Sequence, residues 1–258
     1  MNNWIFIAIL LCLSGCKASS PEAEAQTEAI ETAAEVLPKG VKLIPIQTPK
    51  GKFSVYTRQV GESPTIKVLL LHGGPGTTHE LWEPLADYLP QEGIEYYYYD
   101  QLGSHFSTQP SDTSLWTIPR FVDEVEQVRT ALGLTPDNFI LMGQSWGGML
   151  AMEYALVHQD KLKGLVVSNM MSSIPEYNKY VLEVLAPKLP KAVLDSLLSI
   201  EASEDYNNPL YMQLLEEHYY PRHVVNMPIE KWPESLIRTY RHMNMKIYII
   251  CKGLANLE

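Results

Sequence analysis

Phe139-Ile140-Leu141-Met142-Gly143-Gln144-Ser145-Trp146-Gly147-Gly148, running on into Met149 to Val157, is the stretch from which the fold is read. Phe139 to Met142 is a short apolar run without alternation, which suits a strand buried on both faces. Ser145 to Val157 is apolar on nearly all sides apart from Glu153, as expected of a helix buried in a large fold. Between them Gly143-Gln144-Ser145-Trp146-Gly147 has the form G-x-S-x-G, a serine on a tight strand-to-helix turn. The requirement is steric: the serine takes strained backbone angles, and glycines two residues to either side let neighbouring chains approach. The turn exposes the hydroxyl, and the helix N-terminus behind it favours developing negative charge.

Outward from this turn, strand and helix alternate. Val41 to Ile46 and Phe53 to Arg58 predict two strands about Pro49-Lys50-Gly51. Val68 to Leu71 and Tyr96 to Tyr99 predict two more, and Leu165-Val166-Val167 another. Apolar residues at 118, 122, 125, 128 and 132 predict an amphipathic helix that Gly133 stops. Apolar strands separated by helices imply an α/β architecture whose parallel sheet is covered on both faces. From Glu176 to Arg241 the chain is helix-like, rich in Tyr, Leu, Glu and Met, and interrupted by prolines. It reads as a helical insertion on the sheet, followed by a strand at Lys246 to Ile250.

His72-Gly73-Gly74-Pro75-Gly76 follows the strand at Val68 to Leu71. Its small residues allow backbone N–H groups to point into a pocket. Together with Tyr99-Asp100-Gln101-Leu102-Gly103 and Gly143-Gln144-Ser145-Trp146-Gly147-Gly148, this loop resembles the proline iminopeptidase family of α/β-hydrolases. The likeness runs from about Val41 to Ile250 and includes Tyr206-Asn207-Asn208-Pro209 and His218-Tyr219. The resemblance implies the α/β-hydrolase fold, a mostly parallel sheet with a helical cap, and a serine peptidase that releases N-terminal residues, often proline. By the same likeness Ser145 is the nucleophile, and the N–H groups of Gly74 and Trp146 form the oxyanion hole. His105 stands where many members carry glycine. A small-molecule esterase or amidase of the same fold, and a non-catalytic anchored remnant, are the competing expectations.

In this fold the order along the chain is Ser, then Asp or Glu, then His. Only His158, His218, His223 and His242 follow Ser145, and each reads as a surface or cap histidine. The expectation is therefore that the catalytic acid and histidine, and the last strands of the sheet, are absent from this chain, and that in this form it is inactive. The codons TGC AAG GGC CTA GCG AAT TTG GAA would encode Cys251 to Glu258. Read one base earlier behind an A, they give Met-Gln-Gly-Pro-Ser-Glu-Phe-Gly, and family members carry Met-x-Gly-Pro-(Ser or Asn)-Glu-Phe at this place. A frameshift near Ile250 is therefore expected, with 251–258 an out-of-frame tail. The glutamate of the shifted motif would grip the substrate's terminal amine by family likeness.

Composition bounds the rest. The 258 residues are 46% hydrophobic, with 20 Lys+Arg against 30 Asp+Glu and a formal charge of −10. That balance disfavours nucleic acid, which basic residues bind by neutralising phosphates. Three cysteines, Cys12, Cys16 and Cys251, exclude a disulfide scaffold and a cysteine-rich zinc site. No metal or cofactor is expected, and the expected partner is a peptide with a free N-terminus. Trp4 to Leu13 is too short to span a bilayer and fits a secretory h-region. Leu13-Ser14-Gly15-Cys16 resembles a bacterial lipobox, which implies cleavage before Cys16, a lipid on its sulfur and a place in the cell envelope, on the outer membrane or the periplasmic face. The expected organisation is a signal at 1–15, an acidic tether at 16–38, a core at 39–174, a helical cap at 175–250 and the tail. Five glutamates against one lysine and almost nothing bulky make the tether a solvated segment.

Overall fold

The strands at Val41–Thr48 (β1) and Gly51–Val60 (β2) form a hairpin in which Thr48 pairs with Gly51 across Pro49-Lys50. The turn is fastened by Thr48, whose Oγ1 donates to the Gly51 carbonyl at 2.9 Å and accepts from the Lys50 N–H at 3.1 Å. The structure is a computed structural model and describes residues 37–254 apart from 171, 172 and 207. The expected signal at 1–15, Cys16, almost all of the expected tether and residues 255–258 lie outside the described residues. From Gly40 onward the described chain is one compact unit.

Lys67–Leu71 (β3), Glu95–Asp100 (β4), Phe139–Gln144 (β5) and Gly164–Ser168 (β6) complete a sheet of order β1-β2-β4-β3-β5-β6 among the described residues. The β1/β2 and β2/β4 pairs are antiparallel, and β3 pairs in parallel with both β4 and β5, as β5 does with β6. Alternate residues of the central strands serve opposite faces. Leu69, Leu71, Tyr97, Tyr99 and Leu141 pack with Ile118–Ala131 (α1) and Trp146–His158 (α2), whereas Val68, Leu70, Tyr96 and Tyr98 pack around Trp82. Two buried faces explain why these strands are apolar runs. The chain leaves β3 towards β4 on one side and reaches β5 on the other. A crevice therefore opens at the carboxyl ends of β3 and β5, where open α/β sheets place their ligands.

The expected amphipathic helix is α1, which buries Phe121, Val122, Val125 and Val128. It also buries an ion pair, Arg120 with Glu124, whose carboxylate accepts from the Tyr99 hydroxyl and the Leu102 N–H. Two expectations change in the structure. Lys246 to Ile250 is not a strand but part of a helix, Met245–Leu254. A five-residue apolar run fits either state locally. Here Ile247 and Cys251, one turn apart, both pack into the core, and Asn244 anchors the first turn through its carbonyl and its Oδ1. The elbow helix is also less enclosed than its sequence suggests: Leu156 and Val157 at its outer end are 78% and 65% exposed.

Between β6 and that last helix lie the cap helices Ile174–Tyr180 (α3), Lys191–Ala202 (α4), Pro209–Leu214 (α5), Tyr220–His223 (α6) and Glu234–Arg241 (α7), with Met245–Leu254 as α8. Leu189, Leu197, Ile200 and Tyr211 give the cap a small core of its own.

Candidate active site

Ser145 joins β5 to α2 with φ 54° and ψ −124°, a conformation strained for any residue with a Cβ. It is held there from both sides: its N–H donates to the Ser168 carbonyl at 3.1 Å, and its carbonyl accepts from Gly148 N–H at 2.8 Å. The flanking glycines are required by contact. A Cβ on Gly143 would lie 2.0 Å from the Gly147 carbonyl oxygen, and one on Gly147 would lie 2.1 Å from the Leu71 oxygen. The elbow helix thus sits directly against the end of β3.

The loop after β3 comes to the same point. A Cβ on Gly73 would be 3.3 Å from the Ser145 Cβ, so this loop touches the serine. Gly74 has φ +105°, and a Cβ there would lie 2.9 Å from both the Gly76 and the Thr77 nitrogen. Trp146 is the first residue of α2, and its N–H has no carbonyl one turn earlier within the helix. Gly74, Ser145 and Trp146 together line one cavity of about 500 Å³.

His72 lies beneath this loop, fully buried. Its Nε2 accepts from the Gln101 N–H at 3.1 Å and from the Ser104 hydroxyl at 3.2 Å, so the proton sits on Nδ1, which donates to the Gly73 carbonyl at 2.9 Å. Burial pushes its pKa down, consistent with a neutral structural imidazole. Asp100, at the end of β4, accepts on Oδ1 from both the N–H and the Nδ1–H of His79.

The cap closes the cavity with Tyr177, Tyr219, Tyr220, Tyr240 and Tyr248. Burial raises the phenols of Tyr240 and Tyr248 to about 12, so both remain neutral hydrogen-bonding groups. The density of tyrosine in the cap is visible in the sequence, but not which of them face the serine. Cys251 also reaches the cavity wall, and burial raises its thiol to about 11, which leaves it an unreactive apolar contact.

Among the described residues that line the cavity there is no histidine, aspartate or glutamate. His158 packs on Tyr154, His223 on Tyr219, and His218 lies beside Glu217. His242 stacks on His105, ring centroids 4.0 Å apart, and its Nδ1 is 2.7 Å from Glu80. The described residues therefore bring Ser145, Gly74 and Trp146 to the wall of an aromatic pocket whose described lining has no histidine or carboxylate. No group of three or more His, Cys, Asp or Glu among them could hold a metal ion. No described helix is long and apolar enough to cross a membrane.

Comparison with known proteins adds to this geometry. A family model described as the alpha/beta hydrolase fold matches residues 67–191. A proline iminopeptidase of Flavobacterium johnsoniae is 52% identical over 211 residues, covering 82% of this chain and 70% of the relative. One from Elizabethkingia meningoseptica is 51% identical, covering 83% of this chain and 71% of the relative. Among solved structures, the crystal structure of proline iminopeptidase from Mycobacterium smegmatis superposes with a TM-score of 0.66 at 27% identity, covering 81% of this chain and 69% of that one. The crystal structure of VinJ gives 0.71 at 31% identity, covering 80% and 68%.

Proposed function

This chain belongs to the proline iminopeptidase family of α/β-hydrolases, and from that premise we propose that it is a serine aminopeptidase releasing N-terminal residues, proline by preference, from peptides. The observation that carries the reading is Ser145, strained on its elbow and in contact with the Gly73-Gly74 loop at the wall of a cavity. Ser145 Oγ attacks the carbonyl of the first residue. The carbonyl oxygen gains negative charge within reach of the Gly74 and Trp146 N–H groups, at the N-terminus of α2. The amine of the second residue then leaves carrying the proton taken from Oγ, and water releases the acyl group from Ser145 and returns a proton to Oγ. The tyrosine-rich cap encloses a small apolar ring such as that of proline without placing a charge beside it. Removing the Oγ proton takes a base and an acid to orient it. On the shifted-frame reading of 251–258, these and the amine-gripping glutamate are encoded in that other frame.

The test is hydrolysis of proline 4-nitroanilide by the chain as given, by a shifted-frame version and by Ser145→Ala in each. Turnover that depends on Ser145 and exceeds that on an acetyl ester supports an aminopeptidase. Equal turnover after Ser145→Ala removes the assignment, and preference for the ester favours the esterase.

We also propose that Cys16 is lipidated after cleavage behind Gly15, placing the enzyme in a bacterial cell envelope. The support is the Leu13-Ser14-Gly15-Cys16 ending after an apolar run. Mass spectrometry of the mature protein decides it: an intact Met1 would exclude the anchor.

A further inference from the structure

Gly74 lies on the loop after β3 and Trp146 opens α2, and one side chain joins the two. Gln101, 1% exposed, follows β4. Its Oε1 accepts from the Trp146 indole Nε1–H at 2.9 Å, and its Nε2 donates to the His72 carbonyl at 3.3 Å. Its backbone N–H donates to His72 Nε2 at 3.1 Å. The neighbouring Asp100 holds the far end of the same loop through the two bonds from His79. The loop that carries Gly74 is therefore clamped at both ends by the consecutive residues Asp100 and Gln101, and of these only Gln101 reaches across to α2.

We infer that Gln101 is a positioning residue that sets the spacing of the Gly74 and Trp146 N–H groups about the developing oxyanion. The inference rests on the aminopeptidase reading for its consequence in catalysis, but not for its geometry. A buried amide with both its acceptor and its donor engaged has one arrangement, and losing it leaves the Trp146 Nε1–H and the His72 carbonyl without partners. Neither Gln101 nor His72 is part of the cavity lining, so ground-state binding in the tyrosine pocket is expected to be unchanged. The effect falls where charge develops, because such donors act only when correctly placed before the reaction.

The experiment uses Gln101→Met, which keeps length and burial, and Trp146→Phe, which removes the indole donor together with part of the ring. With proline 4-nitroanilide and in the shifted-frame version, Gln101→Met is expected to lower kcat about 10- to 100-fold with KM within about twofold, less than the about 10²–10³-fold for a donor removed outright. Combining it with Trp146→Phe should cost less than the product of the two single effects, because both remove the same bond. Hydrogen exchange read by NMR supplies a readout that needs no turnover. In Gln101→Met, the Trp146 indole N–H and the backbone amides of Gly74, Gly76 and Thr77 should exchange at least about tenfold faster, while amides paired between β3 and β5 keep their protection. Unchanged kcat and exchange would overturn the inference, as would a loss spread over the whole sheet. If the shifted-frame version lacks Ser145-dependent turnover, the aminopeptidase reading fails and the exchange pattern alone decides on Gln101.

Discussion

Arg238 and Glu80, 158 residues apart in sequence, meet with Nε 2.8 Å from Oε1, fastening cap helix α7 to the segment that follows the Gly74 loop. The buried Glu80 carboxylate is shared: Oε2 accepts from the Thr78 hydroxyl at 2.8 Å and lies 2.7 Å from His242 Nδ1. Arg238 also reaches Glu83. The opposite side of α7 carries Leu236, Thr239 and Tyr240 to the cavity, so this junction holds one wall of the pocket.

Burial raises the Glu80 pKa, but the hydrogen bonds from His242, Thr78 and Arg238 outweigh it, and the carboxyl ends below its ordinary value. A depressed folded pKa gives stability that is complete above the unfolded value, about 4.3, and lost as pH falls through the folded value. Glu80→Gln is therefore expected to destabilise the protein by about 1–3 kcal/mol near pH 7. The difference from the unsubstituted protein should shrink steadily below about pH 4.3. Melting temperatures of both proteins between pH 3 and 8 check this, and a pH-independent gap would show that the carboxylate charge is not what matters.

The conformation of Ser145 should be visible as a stability difference. Ser145→Ala keeps the Cβ at φ 54° and so keeps the strain, whereas Ser145→Gly removes it. Ser145→Gly is expected to be the more stable of the two by about 1 kcal/mol, toward the low end of the usual cost of such strain. Urea denaturation of the two variants measures it without reference to activity. An equal or lower stability for the glycine variant would mean that the elbow is not strained.

Much of this architecture is legible in the sequence because its signals are local. Val68 to Leu71, Tyr96 to Tyr99 and Phe139 to Met142 are apolar runs bounded by turn residues, and glycine spacing marks the turn at Ser145. What the sequence does not reveal is set by distant partners. Lys246 to Ile250 has no helical signature of its own, and its state is decided by Ile247 and Cys251 packing against a core assembled from residues far earlier. A Cβ on Gly103 would meet the Ile247 Cδ1 at 2.2 Å, so that contact depends on a glycine on another loop. The bridge made by Gln101 is equally invisible, since it exists only because β4 lies beside β3. His105 stands out in the sequence, but its stacking on His242 requires the cap to be in place.

Gly147 and Gly133 separate contact from conformation. A methyl at 147 would collide with two carbonyl oxygens of the β3 end, at 2.1 Å and 2.6 Å, and backbone atoms there cannot move aside without parting helix from sheet. Gly133 has φ +67°, but a methyl added there would meet nothing within 4 Å, so only the left-handed backbone is penalised. Gly147→Ala should cost more than about 3 kcal/mol, in the range of severe overpacking. Gly133→Ala should cost about 1–2 kcal/mol. Chemical denaturation of the pair gives the ratio, and similar losses at both sites would contradict the close approach of α2 to β3.

Strand β6 is paired on one side only among the described residues, with β5. Its Leu165, Val166 and Val167 are 40%, 43% and 41% exposed, and Gly164–Ser168 contains no charge or proline to discourage another strand from adding. Such an edge is a template for association. Leu156 and Val157 at the outer end of α2 extend the exposed apolar surface. Purified protein freed of residues 1–36 is therefore expected to self-associate as its concentration rises, and Val166→Lys should shift it towards monomer. A lysine there is half-exposed and can extend into water, so the cost to folding is small while the charge opposes strand addition. Sedimentation velocity over a tenfold or wider concentration series reads both proteins. Undiminished association of Val166→Lys would place the contact elsewhere, and a strictly monomeric unsubstituted protein would mean that the edge is already protected.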